Sequence, residues 1–187
     1  VYGFGGYDRD RLTLRAGADL RYQFTPSFTG LLTRNPDFSN VEGAVTSVDF
    51  SYAEKLPEER RPFFLEGSGF LSSGMYSLRP FASIRLDAVD FGAKFFGRVA
   101  PTTDLGILAT CDTSDRQDAV VTVRHSFSPY DSLLFQGVSR TGSGINNQIG
   151  LGVWRLRRGD WTLQSAYAHS DDKTGPGEGT DIYLNWS

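Results

Sequence analysis

The stretch LTLRAGADLRY, residues 12–22, alternates between two kinds of side chain. Its even-numbered positions are apolar, and its odd-numbered positions are small or polar, including Arg15, Asp19 and Arg21. Successive side chains of a β-strand point to opposite faces, whereas a helix would scatter both sets around its circumference. The stretch therefore predicts a strand with one apolar face and one polar face.

The same alternation recurs along the chain and predicts an all-β protein. Clear examples cover residues 88–99, 105–111, 119–127, 147–155, 161–169 and 181–186, a less regular one covers 44–52, and weaker ones cover 28–34, 81–86 and 133–141. Short turn signals such as Thr25-Pro26-Ser27 and Arg158-Gly159-Asp160 separate many of them, and we expect loops at Gly3-Phe4-Gly5-Gly6 and in the Gly/Pro-rich residues 174–180. Short turns join antiparallel neighbours, so we predict a meander of roughly ten or eleven strands without helices.

Alternation alone does not distinguish a soluble β-barrel from a membrane barrel, and three features favour the membrane. The predicted strands have about the length that crosses a bilayer at a tilt. The polar face carries Arg, Asp and Lys beside Gly, which suits a packed lumen. Aromatic residues stand near strand ends, as in interfacial girdles: Phe127, Tyr130, Trp154, Trp161 and Trp186. We predict an antiparallel transmembrane β-barrel, or part of a larger one, with a soluble ligand-binding β-barrel as the alternative.

Composition sets further bounds. The chain has 187 residues, 19 basic against 22 acidic, so its net charge of −3 gives no electrostatic case for a nucleic-acid partner. The single cysteine, Cys111, excludes an internal disulfide. A hydrophobic fraction of 39% fits a single domain over residues 1–187, and it fits membrane strands, which are only half apolar. Because the chain begins at Val1, we expect it to be a piece of a longer protein.

Residues 35–43 and 54–80 break the alternation. They contain NPDFSNVE, residues 35–42, and RPFFLEG, residues 61–67. Proline cannot donate to a β-ladder, so Pro57 and Pro62 favour loops here. We expect these loops to narrow or close one end of the barrel, with Phe63 and Phe64 packed. We also expect Arg60, Arg61 and Glu66 to be paired.

These two motifs, in this order, resemble the signature of a family of bacterial outer-membrane β-barrels. In that family the barrel is a domain of unknown function that follows a carbohydrate-binding module of the family-9 type. The usual pattern is NPDFSQVE, PEKRPFFLEG and FYSRR. This chain has Asn40 in place of glutamine, one extra residue within 57–60, and Leu78 in place of one arginine. The resemblance implies a bacterial outer-membrane location, with the lipid bilayer as partner and no established activity.

The loop carboxylates are the candidates for catalysis. A glycosidase needs two carboxyl groups about 5 to 9 Å apart, and Glu42 and Glu66 are the weak candidates for a membrane-associated hydrolase. The alternative is that these acids only cap turns and pair with arginines. Candidate binding residues, which structural roles would also explain, are Asn35, Asp37, Arg60, Arg61 and Arg79.

No cofactor or metal is predicted. Asp37, Asn40 and Glu42 offer oxygen ligands for calcium, but their spacing matches no known calcium loop. His125 and His169 fall on the apolar register of predicted strands, which favours structural placement. A small basic cluster, Arg155, Arg157 and Arg158, is interpreted as an interfacial or loop patch. We expect a structural or transport-like role in handling a glycan or other polymer, rather than an enzyme.

Overall fold

A computed structural model describes residues 2–8, 11–36, 59–75, 78–86, 89–113, 115–142 and 144–186, with only the backbone given for 2–8 and 11–16. Ten strands form in these residues: β1 (Tyr2–Asp8), β2 (Arg11–Thr25), β3 (Phe28–Arg34), β4 (Phe91–Ala100), β5 (Thr103–Cys111), β6 (Gln117–Ser128), β7 (Asp131–Gly142), β8 (Ile145–Arg158), β9 (Trp161–Asp172) and β10 (Gly175–Trp186). Between β3 and β4 lie one helical turn, α1 (Pro62–Leu65), and two 3₁₀ turns (Ser68–Phe70 and Ser83–Arg85). The predicted strand at 44–52 lies outside the described residues.

The strands form one sheet in sequence order, and each pairs antiparallel with the next. The predicted all-β antiparallel meander is therefore confirmed. The sheet is open in the described part of the chain, because β1 and β10 are its two edges. Two-residue turns at 26–27, 101–102, 129–130 and 159–160 join strands at one end, which we call the turn end. The long connection from β3 to β4 leaves from the opposite end, the loop end.

Both edge strands include residues that the sequence predicted to be loops. Gly3-Phe4-Gly5-Gly6 was expected to be a loop but lies in β1, where β2 provides a full pairing partner. Residues 174–180 were expected to be a turn, but β10 begins at Gly175. Pro176 is tolerated in β10 because half of the backbone groups of an edge strand need no hydrogen-bond partner within the sheet. The turn itself is short: the Asp172 carboxylate accepts hydrogen bonds from the backbone N–H groups of Thr174, at 2.7 Å, and of Gly175, at 3.2 Å.

The expected strand at 81–86 is also wrong. Residues Ser83–Arg85 form a 3₁₀ turn, and Leu86 closes it with a 2.9 Å bond from its N–H to the Ser83 carbonyl. The Arg61 guanidinium group takes two carbonyls of this segment, those of Ser83 and Leu86, at 2.7 and 2.6 Å. In a β-strand, these two carbonyl oxygens would accept hydrogen bonds from a neighbouring strand. Here they accept hydrogen bonds from Arg61.

Residues 59–75 and 78–86, which together we call the insert, lie over one face of the sheet, which we call the covered face. Apolar side chains of the insert and the sheet share two clusters there. The first contains Leu31, Phe63, Phe64, Leu71, Leu86, Val89, Phe96, Leu108 and Val120, and the second Met75, Leu134, Leu151, Val153 and Ala166. The covered face is thus less polar than the sequence predicted, because the insert gives its apolar positions a packing partner.

The other face of the sheet, the open face, is apolar and exposed. Leu32, Phe91, Val121 and Phe135 are 45–57% exposed and stand beside buried residues of the covered face along their strands, and Leu20 on β2 is 62% exposed. Aromatic side chains gather on this face toward the turn end: Tyr22, Phe24, Phe127, Trp154, Trp161 and Trp186. Trp161 and Trp186 stack at 5.7 Å, and the Trp154 indole N–H donates to Asp131 at 2.8 Å. Among the described residues, no helix has the length and apolar character needed to cross a membrane.

Candidate functional site

The docking of the insert on the covered face is the most elaborate side-chain arrangement in the described chain. The local sequence explains its first turn. Pro62 suits the start of α1, where its missing N–H has no intrahelical partner to lose. Gly67 follows with φ +68°, and an ideal Cβ at this position would lie 2.4 Å from the Phe96 ring. The helical turn therefore ends at a residue that only glycine fits.

Arg61 is buried inside the insert and binds several of its groups. It is 1% exposed, and its guanidinium group donates to both carboxylate oxygens of Glu59, at 2.8 and 2.6 Å. The same group stands over the Phe64 ring at 4.2 Å. Together with the hydrogen bonds to the carbonyls of Ser83 and Leu86, these contacts join the first part of the insert, residues 59–67, to its last part, residues 79–86. Burial raises the pKa of Glu59, but hydrogen bonds from Arg61 and Ser83 outweigh this effect and hold that pKa below its ordinary value.

Lys94 fastens the insert to the sheet. Its side chain rises from β4 on the covered face and is fully buried. The ammonium group donates to the carbonyl oxygens of Phe63 and Glu66, and more weakly to that of Phe64 at 3.4 Å. These carbonyls belong to the C-terminal end of α1, where backbone acceptors lack intrahelical partners and a cation is favourable.

Beyond α1 the insert crosses the sheet strand by strand. At Gly106 of β5, an ideal Cβ would lie 2.4 Å from the Phe70 carbonyl oxygen, so the backbones of insert and strand nearly touch. Further along, side chains of β6, β7 and β9 contact the insert: the Gln136 amide donates to Leu71 O at 2.7 Å, Arg124 to Ser72 O at 3.3 Å, and the Gln164 amide contacts the Met75 sulfur. Donors from the sheet thus meet acceptors of the insert along its path.

The structure places some of the predicted site residues together and separates others. Arg61 is paired as expected, and Phe63 and Phe64 are buried. Glu66, a catalytic candidate, forms a 2.9 Å ion pair with Arg21 of β2. Arg60 is exposed, and its backbone N–H donates to Glu59 at 3.1 Å.

The remaining candidates lie apart or cannot be placed. Asn35 is at the end of β3, far along the chain from the insert, and its N–H donates to the Asp90 carbonyl at 2.6 Å. The structure does not describe Asp37, Asn40 or Glu42, so a site that combines Glu42 with Glu66 stays a hypothesis.

Arg79 lines a cavity of about 440 Å³ between the first part of the insert, residues 59–72, and its last part, residues 79–84. Apolar walls alternate with hydroxyl groups and two charged residues, a composition that suits a small polar ligand with an apolar face. Glu59 at this cavity is held by Arg61. The lining residues are Glu59, Phe64, Ser68, Gly69, Leu71, Ser72, Arg79, Phe81, Ala82, Ser83 and Ile84.

The histidines occupy the register predicted for them. His125 pairs opposite Thr103 and contacts the Phe127 ring, and its Nδ1 lies 2.9 Å from the Thr103 hydroxyl. His169 lies beside Glu178 at 3.7 Å on β10. Among the described residues, no group of three or more His, Cys, Asp or Glu side chains has the arrangement of a metal site.

Sequence reasoning missed the docking residues Lys94, Gln136 and Gln164. Alternation places Lys94 on the polar face of its strand, but nothing in the neighbouring sequence shows that backbone carbonyls from about thirty residues earlier would cover it. The sequence does carry one signal for such docking: polar side chains with many hydrogen-bond donors stand on the face opposite the aromatic residues.

A search of protein families, curated proteins and solved structures gave no match to this chain.

Proposed function

We propose that this chain forms part of an outer-membrane β-barrel with a structural or transport-like role. In this proposal the open face meets lipid, the covered face lines the lumen, and the insert narrows that lumen. One observation carries it: a row of large apolar side chains stays exposed on the open face, while polar residues such as Lys94, Thr122 and Gln136 are buried on the covered face.

The energetics favour lipid over water at the open face. Monomeric soluble proteins rarely expose contiguous apolar patches larger than several hundred Å². Here exposed residues span the sheet from Leu20 on β2 to Ile182 on β10, and several are more than half exposed. A soluble ligand-binding barrel would need the opposite arrangement, with polar side chains facing outward.

The aromatic residues give the proposed membrane an orientation. Trp154, Trp161 and Trp186 stand on the open face near the turn end, where an amphipathic indole suits the boundary between acyl chains and headgroups. The Trp154 N–H has a carboxylate partner in Asp131, as expected for a ring with one wet edge. The motif resemblance agrees with the bacterial outer membrane and suggests a glycan or other polymer as ligand.

Fractionation of cells that express the full-length protein tests the proposal. The protein is expected in the membrane pellet after a high-pH wash and in the supernatant only after detergent is added. After reconstitution, lipids brominated on the acyl chain should quench its tryptophan fluorescence. Recovery in the soluble fraction without detergent, with no quenching, would show that the open face does not meet lipid.

A further inference from the structure

The basic cluster at the end of β8 divides between the two faces of the sheet. Val153 is buried on the covered face and Trp154 is exposed on the open face. Because side chains alternate, Arg155 and Arg157 belong to the covered face and Arg158 to the open face. The register agrees: Arg155 stands opposite Gln164, which is buried on the covered face, and Arg158 opposite Trp161.

Arg124 of β6 joins this group on the covered face. Arg124 stands opposite Leu134 of β7, which stands opposite Val153 of β8, so Arg155 lies two strands away and two residues further along. Strand geometry places their Cα atoms about 12 Å apart, within the combined reach of two arginine side chains. Both side chains approach the same bend of the insert: Arg124 donates to Ser72 O at 3.3 Å, and the Arg155 guanidinium lies 3.4 Å from the ideal Cβ position of Gly74.

The hydrogen-bond partners of these arginines carry no charge. Arg155 donates to the Gln164 amide oxygen at 3.3 Å, and Arg157 to the Gly159 carbonyl at 3.4 Å. Among the described residues, no ion pair includes Arg124, Arg155 or Arg157. The acid nearest in register, Asp104 opposite Arg124, is engaged by Arg98 at 3.1 Å. Arg155 and Arg157 are exposed, so a solute can reach them.

The geometry points to an anion-binding site on the covered face at the turn end, formed by Arg124, Arg155 and Arg157. Guanidinium groups bind carboxylate, sulfate and phosphate through paired N–H donors, and weak contacts to neutral oxygens are readily exchanged for an oxyanion. This inference rests on the proposed function. The site indicates that the polymer handled by the barrel is acidic. An acidic polysaccharide bound at this site would lie beside the insert, because Arg124 and Arg155 flank its residues 72–74.

Binding of two anionic probes to the detergent-solubilised full-length protein tests the site. Fluorescence anisotropy follows the trisulfonated dye pyranine, with polygalacturonate as competitor. The variant Arg124→Gln/Arg155→Gln is expected to weaken pyranine binding about tenfold or more and to reduce its salt dependence. Arg158→Gln, on the same strand but the opposite face, should bind within about twofold of wild type. Equal binding by the double variant and wild type would overturn the site.

Two further measurements separate possible failures. Arg124→Lys/Arg155→Lys keeps the positive charge but not the paired N–H donors, so its affinity for pyranine should lie between those of wild type and the glutamine variant. A lysine variant that binds as weakly as the glutamine variant would contradict a site that attracts anions through charge. Membrane fractionation of each variant is recorded in parallel. Membrane-inserted protein without arginine-dependent binding contradicts the site alone, whereas soluble protein contradicts the proposed membrane function.

Discussion

The ammonium group of Lys94, on the fourth strand of the sheet, donates to the carbonyl oxygen of Phe63, in the helical turn of the insert. It also reaches the carbonyl oxygens of Phe64 and Glu66. A single fully buried side chain thereby binds the carbonyl oxygens at the C-terminal end of α1 and joins the insert to the sheet. The insert is thus docked by a specific contact in addition to apolar packing.

Replacing Lys94 by methionine should detach this end of the insert. The change leaves carbonyl acceptors buried without donors, which costs about 1–3 kcal/mol for each group that water cannot reach. We expect Lys94→Met to lower the unfolding free energy by about 2–4 kcal/mol, measured by denaturant titration of tryptophan fluorescence in detergent. Lys173→Met, in the exposed turn between β9 and β10, is the matched control and should change stability by less than about 0.5 kcal/mol. A Lys94→Met protein as stable as the control would show that the contact contributes nothing.

The pair Glu59–Arg61 should make the stability of the insert depend on pH. The pKa of Glu59 is held below its ordinary value of 4.5, so the folded state binds its proton less readily than the unfolded state. Its contribution is therefore fully present above pH 4.5 and is lost as the pH falls through the lower folded pKa.

Glu59→Gln isolates this contribution. At pH 7 we expect a loss of about 1–2 kcal/mol, because Arg61 stays buried without its carboxylate partner. The difference from wild type should shrink as the pH falls below 4.5. Asp160→Asn, at an exposed turn position, serves as control. Unfolding titrations at several pH values measure both variants, and a pH-independent difference would contradict the assignment.

Close backbone contact at Gly106 should make this position intolerant of any side chain. An added methyl group would meet the Phe70 carbonyl, a backbone atom that cannot rotate away, so Gly106→Ala must push the insert from β5. We expect a loss of about 1–3 kcal/mol and faster proteolytic cleavage within the insert. Gly137→Ala, in β7 with open space around its Cα, should behave like wild type. Equal cleavage rates in the two variants would show that the insert is not pressed against β5.

The strands follow from the sequence, and the docking does not, for reasons that particular residues make clear. The alternation in residues 12–22 depends only on near neighbours, and β2 forms there as predicted. Residues 81–86 alternate too, yet Arg61 takes the carbonyl oxygens of Ser83 and Leu86, and no local pattern encodes this distant contact. The expected packing of Phe63 and Phe64 was confirmed, whereas their partner Lys94 depends on which strand the insert crosses. The loop predicted from Gly3, Gly5 and Gly6 is wrong because β2 supplies a pairing partner that outweighs the low strand propensity of glycine.

Phe135 offers the sharpest single-residue test of what the open face touches. It stands in the middle of β7, is 57% exposed, and lies opposite Gly152 of β8. In water, arginine at such an exposed position would change stability little. In lipid, arginine near the bilayer midplane costs about 2–4 kcal/mol, and the cost falls to about 0–1 kcal/mol near the interface.

The two environments therefore predict different patterns across one face. If the open face meets lipid, Phe135→Arg should lower the unfolding free energy in lipid vesicles by about 2–4 kcal/mol. Phe127→Arg, on the same face at the turn end, should lower it by no more than about 1 kcal/mol, after allowance for the Phe127–His125 ring contact. Each phenylalanine is also replaced by alanine, which separates the lost ring from the added charge. Costs near zero at both positions would mean that the open face lies in water, and equal large costs would contradict the depth dependence expected of a bilayer.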